Sequence, residues 1–176
     1  MSSRSRLQHR LRRCRGFTLV ELMVVAAVLV ILLATAGPAM SNFTAGNQLA
    51  AAKSTFTGAL ALARSEAAMR GATVIVHARG TQAAGNEFAA GWDIVSDDDG
   101  DGVAGANDTV LRSFDALPSA VKLSGSADLV FRATGYLATV ADQVYTVCRV
   151  SGGSDGYRVT VTPGGVADVA AIASCS

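Results

Sequence analysis

Hydrophobic residues follow three successive patterns along this chain, and each pattern predicts a different element. Residues 17–36 are almost continuously apolar, with Glu21 as the single charge among them. Residues 41–70 place apolar side chains three or four positions apart, and from Gly71 onward short β-branched runs alternate with Gly, Asp and Ser. This order predicts a long apolar helix, an amphipathic helix and then a series of strands.

The apolar run is long enough to cross a membrane. Twenty helical residues rise about 30 Å, which matches the hydrocarbon core of a bilayer. A carboxylate at the centre of such a span costs about 2.5 to 3.5 kcal/mol and is usually retained for a partner, so Glu21 requires one. Six arginines and no acidic residue precede the run, which predicts that residues 1–16 stay in the cytoplasm. A basic arm that binds nucleic acid is the alternative interpretation of these arginines.

The second pattern gives the next helix a single apolar face. Gly71 follows the last periodic residue and predicts a helix C-cap. An ordinary amphipathic core helix would show the same pattern, so this segment does not discriminate between functions. The residues of the predicted face are Leu49, Ala52, Phe56, Leu60, Ala63 and Ala67.

The third pattern predicts about seven or eight antiparallel strands, in one sheet or two, with the helix covering one face. The fold class is therefore α+β. His77 is expected on the solvent side of the first strand. The predicted strands cover residues 73–77, 92–95, 109–114, 120–123, 129–131, 144–150 and 157–161, each rich in β-branched or aromatic residues and bounded by turn formers.

Composition argues against two functional classes. Without the six leading arginines, nine basic residues face 14 acidic ones, a net charge of −5, which does not indicate a DNA-attracting surface. His77 is the single histidine after residue 16, and neither a Ser-His-Asp set nor a phosphate-binding glycine loop is recognisable. The chain is therefore predicted not to be an enzyme and to need no cofactor.

An Asp-rich segment is the one candidate metal site. Asp97, Asp99 and Asp101, followed by Gly102 and by Asp108 at the twelfth position, have the ligand order of a calcium loop. The twelfth residue is Asp instead of the usual bidentate Glu, and no helices flank the loop. Asp-Gly sequences are also good turn formers between strands, so a simple turn remains the alternative to calcium.

Two of the three cysteines are expected to pair. Cys14 belongs to the basic leader, whereas Cys148 and Cys175 lie in the part predicted to be outside the cytoplasm, where an even pair favours a disulfide. Such a bridge would hold the C-terminal tail against a late strand. Two free thiols are the alternative.

The junction between the leader and the apolar run carries a specific motif. Gly16-Phe17-Thr18-Leu19-Val20-Glu21 resembles the class III signal of type IV pilins and type II secretion pseudopilins. The resemblance implies that a prepilin peptidase cleaves after Gly16, that Phe17 is N-methylated, and that Glu21 pairs with the N-terminal amine of a neighbouring subunit during assembly. A secretory signal peptide cleaved near Ala34-Thr35-Ala36 and an ordinary membrane anchor are the alternatives, but the run is too long for the first and the second leaves Glu21 unexplained.

Further along, residues 63–67 before the first strand and Gly91-Trp92 before the Asp-rich turn resemble the FimT/GspH branch of minor pilins and pseudopilins. The resemblance implies a cleaved leader at 1–16, a membrane-spanning half-helix at 17–40 and a periplasmic or extracellular domain at 41–176. The chain would be a single-pass inner-membrane protein that is built into, or primes, a type IV pilus or a type II secretion pseudopilus. Its partners would be the prepilin peptidase and other pilins.

Some FimT-type relatives bind DNA during natural transformation, which makes DNA binding the alternative function. Their motif Gly-Arg-x-Arg corresponds here to Gly164-Gly165-Val166-Ala167. Both arginines are absent, and phosphate contacts supply most sequence-independent affinity for DNA. DNA is therefore a disfavoured partner, and no nucleic-acid-binding residue is assigned.

Overall fold

The computed structural model describes residues 17–80, 84–125, 128–150 and 156–175. The predicted leader, including Gly16, lies outside these residues. Within the described ranges one helix is followed by eight strands, which is the predicted α+β class. The elements are α1 (Leu19–Arg70), β1 (Val74–Ala78), β2 (Trp92–Ser96), β3 (Thr109–Phe114), β4 (Val121–Gly125), β5 (Asp128–Phe131), β6 (Gln143–Arg149), β7 (Gly156–Val161) and β8 (Ala167–Ile172).

The chain divides into two compact units, Met1–Ser41 and Asn42–Ser176. The described part of the first unit contains the beginning of α1. The second unit contains the remainder of α1 and every described strand. α1 ends where predicted, because Gly71 adopts a positive φ of 64° and donates its N–H to the carbonyl of Ala67 at 3.0 Å, as a helix C-cap glycine does.

The strands of the second unit form two antiparallel sheets of four. The first sheet has the order β3-β2-β1-β5, and the second has the order β4-β6-β7-β8. On β1, His77 lies opposite Asp128 of β5, and its Nδ1 is 3.0 Å from the Asp128 carboxylate. His77 is only half-buried, as expected of a residue on the solvent side of the sheet.

Phe56 of α1 is the centre of the core. Its ring is fully buried and lies 5.4 Å from Trp92 of the first sheet and 5.0 Å from Tyr145 of the second sheet, between ring centroids. Phe88 completes the cluster at 5.4 Å. Truncating a buried Phe to Ala typically costs about 3 to 5 kcal/mol. All six apolar positions predicted for this helix face are buried: Leu49, Ala52, Phe56, Leu60, Ala63 and Ala67.

Hydrogen bonds between β4 and the connection from β1 to β2 link the two sheets. The Leu123 N–H of β4 donates to Asn86 Oδ1 at 2.9 Å, and the Gly125 N–H donates to Glu87 Oε2 at 3.1 Å. Burial raises the pKa of Glu87, but the backbone N–H groups of Glu87, Gly85 and Gly125 outweigh it and hold that pKa below its ordinary value. The connection that follows β1 of the first sheet therefore covers the edge of β4 in the second sheet.

Candidate functional site

Two of the residues predicted to govern processing and assembly, Phe17 and Glu21, lie at the start of α1. Phe17 and Thr18 precede the helix, and Glu21 belongs to its first turn. Thr18 Oγ1 accepts the N–H of Glu21 at 3.2 Å, which satisfies one of the four N–H groups that a helix start leaves unpaired. The spacing Thr18-x-x-Glu21 is that of a capping box, a signal that our sequence analysis overlooked.

Glu21 is therefore placed to stabilise its own helix. A negative charge in the first helical turn typically contributes about 0.3 to 1 kcal/mol through the helix dipole. Its side chain is exposed, as are the apolar side chains around it, including Phe17, which is 75% exposed. Across the described ranges, no helix is at once long enough and apolar enough to pass through a membrane. The span predicted at 17–40 stays a prediction.

The acidic loop brings together three of its four predicted ligands. Asp97, Asp99 and Asp108 each offer one carboxylate oxygen, and these oxygens lie within 4.8 Å of one another. Asp101 is not part of this group, and its carboxylate accepts the N–H of Val103 at 2.7 Å. Calcium takes six to eight oxygen ligands, so a bound ion would need carbonyl or water oxygens in addition.

Backbone hydrogen bonds also explain this loop as a turn. Asp97 is buried, and its two oxygens accept the N–H groups of Gly100 at 2.8 Å and Gly102 at 3.1 Å. Asp108 accepts the N–H groups of Asp98 at 2.9 Å and Gly105 at 2.7 Å. These bonds are compatible with the calcium interpretation and with the turn interpretation, so calcium binding stays a prediction.

Asp98, which was not among the predicted ligands, is stabilised as a carboxylate. Its side chain accepts the Thr109 hydroxyl at 2.6 Å. This hydrogen bond from Thr109, followed by one from Ser96, lowers the pKa of Asp98. The loop is thus joined to the first residue of β3 through a charged hydrogen bond.

The predicted disulfide is present. Cys148 of β6 is bonded to Cys175, with the two Cα atoms 5.9 Å apart, and it pairs in register with Gly156 of β7. A Cβ atom added at Gly156 would lie 2.3 Å from the Cys175 sulfur and 3.1 Å from the Cys148 sulfur. The bridge therefore passes over β7 at a position where the lack of a side chain leaves room for it.

The turn that corresponds to the DNA-binding motif is shaped by packing. Gly165 has a φ of 74° and donates its N–H to the Thr162 carbonyl at 2.8 Å. A Cβ atom added at Gly165 would lie 2.2 Å from the Gly135 carbonyl oxygen, which accounts for glycine at this position. Arg64 of α1 packs beside it, with Nε 3.3 Å from the same Cβ position.

The arginines of the second sheet do not form one surface. Arg149 of β6 is on the same face of the sheet as the buried residues Tyr145 and Val147, because it follows them at intervals of two. Arg158 of β7 is next to the buried residue Val159 and therefore lies on the other face. The two side chains therefore belong to opposite faces of the sheet. Arg132 is exposed elsewhere and donates to the Ala138 carbonyl at 3.0 Å.

Two protein-family models match this chain. Residues 52–165 match the model of the type II transport protein GspH, and residues 11–37 match that of the prokaryotic N-terminal methylation motif. No curated protein is significantly similar in sequence.

Solved structures give the same picture of the fold. The type IV minor pilin FimU of Pseudomonas aeruginosa has a TM-score of 0.60 at 21% identity, covering 76% of this chain and 99% of that one. The minor pseudopilin EpsH from the type 2 secretion system of Vibrio cholerae has a TM-score of 0.52 at 12% identity, covering 70% and 97%. These similar proteins are described as pilins and pseudopilins, not as enzymes.

Proposed function

We infer that this chain, which belongs to the type II transport protein GspH family, is a minor pilin or pseudopilin that is cleaved between Gly16 and Phe17 and built into, or used to prime, a filament. The filament is a type IV pilus or a type II secretion pseudopilus. The observation that carries this proposal is the presence of an N-terminal methylation motif and a GspH domain in one chain. Prepilin peptidase and other pilins are its proposed partners, and residues 41–176 are proposed to lie on the periplasmic side of the inner membrane.

The helix start supports a role for Glu21 in assembly. Cleavage after Gly16 would leave an ammonium group at Phe17, two residues before α1 begins at Leu19. A positive charge is unfavourable at the N-terminal end of a helix, where the dipole is itself positive. The amine and the Glu21 carboxylate are both costly to bury alone, and a contact between the amine of one subunit and the carboxylate of its neighbour offsets both costs.

The test compares substitutions at one helix start. Glu21→Ala should leave membrane insertion and cleavage intact but reduce the subunit in sheared filaments relative to membranes. Glu21→Gln should reduce the amount of subunit in filaments nearly as much, because it keeps the shape of the side chain and removes its charge. Mass spectrometry of the membrane form should show a methylated Phe17 as the first residue.

Thr18→Ala is the matched control. It removes the cap of the same helix and should cost about 1 kcal/mol of helix stability, yet it leaves the Glu21 charge in place. A filament defect in Thr18→Ala equal to that of Glu21→Ala would mean that Glu21 acts only through its own helix. Wild-type amounts of Glu21→Ala in filaments would overturn the assembly role.

The DNA-binding alternative receives no support from the comparisons. The turn at Gly164-Gly165 is explained by its packing against Gly135, and the arginines Arg149 and Arg158 belong to opposite faces of their sheet. DNA binding therefore stays a disfavoured prediction.

A further inference from the structure

A groove runs along one side of the second unit, between α1 and β8. We call the surface formed by residues 46–68 of α1 and 165–172 the α1–β8 groove. At one end, a cavity of about 430 Å³ is lined by Thr57, Leu60, Ala61, Arg64, Ser65, Ala68 and Gly165–Ala167. At the other end, a cavity of about 250 Å³ is lined by Gly46, Leu49, Arg149, Gly156, Tyr157, Ala171 and Ile172.

The two cavities belong to one continuous stripe of the helix. Positions 46, 49, 53, 57, 61, 64 and 68 are three or four residues apart, the spacing that keeps side chains on one face. Lys53 lies between the cavities, with Nζ 5.0 Å from the centroid of the Tyr157 ring. From residue 46 to residue 68 the helix rises about 33 Å, so the stripe is longer than the six-residue strand β8, which spans about 20 Å.

β8 presents an edge suited to pairing with another strand. Among the strands that the structure describes, it pairs with β7 alone, and Val166 and Val169 are 52% and 39% exposed. The sequence Ala-Asp-Val-Ala-Ala-Ile contains neither the Lys nor the Pro that natural edge strands often use to prevent pairing.

β8 is also held in place at both ends. The Thr162 N–H donates to the Val166 carbonyl at 3.0 Å just before the strand, and the disulfide fixes Cys175 just after it. An edge strand ordered in advance loses less conformational entropy when a partner binds than a free segment does.

The charged residues that line the two cavities or lie between them are all basic, whereas Glu66 lines neither cavity and pairs with Arg70. Arg64 and Arg149 line its two cavities, Lys53 lies between them, and no Asp or Glu is among the described residues that line either cavity. Asp168 belongs to the opposite face of β8, since side chains alternate along a strand. The complementary ligand is a segment that carries carboxylates.

We propose that the α1–β8 groove receives an extended, acidic segment from the globular domain of a different pilin-like subunit in the same filament. The segment adds a strand to the edge of β8 with which no described strand pairs, a recognised mode of peptide binding. Alternate side chains of the added strand then lie over α1, and its carboxylates meet Arg64 and Lys53. The proposal rests on the proposed function, because the filament supplies the partner.

The experiment uses the full-length chain in cells that assemble the filament. A photo-crosslinking amino acid replaces Val169 in β8, and the adduct is identified by mass spectrometry in the sheared filament fraction. The matched control places the same probe at Val110, a 54% exposed valine in β3, the edge strand of the other sheet. We expect Val169, and not Val110, to give an adduct with another protein that carries a prepilin motif, through an acidic segment of that protein.

Charge variants test the chemistry of the contact. Arg64→Glu and Lys53→Glu should each lower the Val169 adduct by about tenfold or more, because they place like charges together. Arg64→Lys should retain it. The control is Arg112→Glu, which reverses an exposed charge on β3. Equal protein levels in membranes will show that each variant folds. If Arg64→Glu does not fold, Lys53→Glu still tests the charge of the contact.

The outcomes separate the two proposals. If the probe-bearing chain enters filaments but Val169 yields no adduct, or yields one with a second copy of this chain, the groove proposal is overturned and the filament function stands. An adduct that is unaffected by both charge reversals overturns the acidic partner. Absence of the unmodified chain from filaments overturns the proposed function together with the groove contact.

Discussion

Gly156→Ala should destabilise the domain because the new methyl group would collide with the disulfide, not because alanine is unfavourable in a strand. The new methyl group would lie 2.3 Å from the Cys175 sulfur, 3.1 Å from the Cys148 sulfur and 3.1 Å from Ile172 Cγ1. The first contact cannot be relieved by a side-chain rotation, since both sulfurs are tied by the bridge. Overpacking of this kind typically costs about 1 to 3 kcal/mol, whereas Ala in a strand is otherwise favoured over Gly by about 0.5 to 1 kcal/mol.

A double-mutant cycle isolates the disulfide contribution. In a Cys148→Ala/Cys175→Ala background the sulfurs are gone, so Gly156→Ala should be neutral or stabilising, with a coupling energy of about 2 kcal/mol or more. For a domain of this size that corresponds to about 6 to 8 °C in Tm, measured by circular dichroism on residues 42–176. Gly58→Ala in α1 is the control, because its added Cβ meets no atom within 4 Å. It should stabilise both backgrounds equally, by up to about 1 kcal/mol. An equal cost of Gly156→Ala in both backgrounds would refute the steric argument.

Four further predictions can be tested with the same domain or the intact protein. Removing the disulfide, which joins residues 27 apart in sequence, should lower stability by about 3.5 kcal/mol; reductant should reproduce the loss in the wild type and leave the Cys-less variant unchanged. The pKa of Glu87 is lowered from 4.5, so its stabilising contribution is present above that pH and lost as the pH falls through the folded-state value. Glu87→Gln should therefore lower Tm at pH 7 and approach the wild type in acid. Calcium, compared with chelator, should raise Tm if Asp97 and its neighbours bind the ion, and an unchanged melt leaves only a turn. DNA binding in a gel shift should be weak and vanish at physiological salt, and submicromolar binding there would contradict this prediction.

Much of the fold could be predicted because local pattern and tertiary burial agree. The spacing from Leu49 to Ala67 identified the buried helix face, and Gly71 marked its end, because only a residue tolerant of positive φ closes a helix in this way. Seven of the described strands overlap a predicted run, with boundaries that agree within two residues. The α+β class and seven of the strands followed from these signals, and the disulfide partners followed from the even pair of cysteines outside the predicted leader.

What the sequence did not reveal depends on contacts between distant residues. β8 was missed because Ala-Asp-Val-Ala-Ala-Ile has weak strand propensity, and it is a strand because it pairs with β7. The hydrogen bond that Glu87 accepts comes from Gly125, 38 residues later, and no local sequence pattern predicts it. In the acidic loop the ligand order was visible in the sequence, but the separation of Asp101 from Asp97, Asp99 and Asp108 comes from the backbone path of the turn.

The bond between the β1–β2 connection and β4 has a consequence for how the domain unfolds. Asn86, Glu87 and Phe88 lie in the connection between two strands of the first sheet, where Asn86 and Glu87 accept hydrogen bonds from the edge of β4 in the second sheet and Phe88 is buried in the core. Neither sheet can therefore open without exposing Phe88 and the backbone edge of β4, so the two sheets should lose structure together as one cooperative unit. Calorimetry should show a single transition whose van't Hoff and calorimetric enthalpies agree, although the domain is built from two separate sheets.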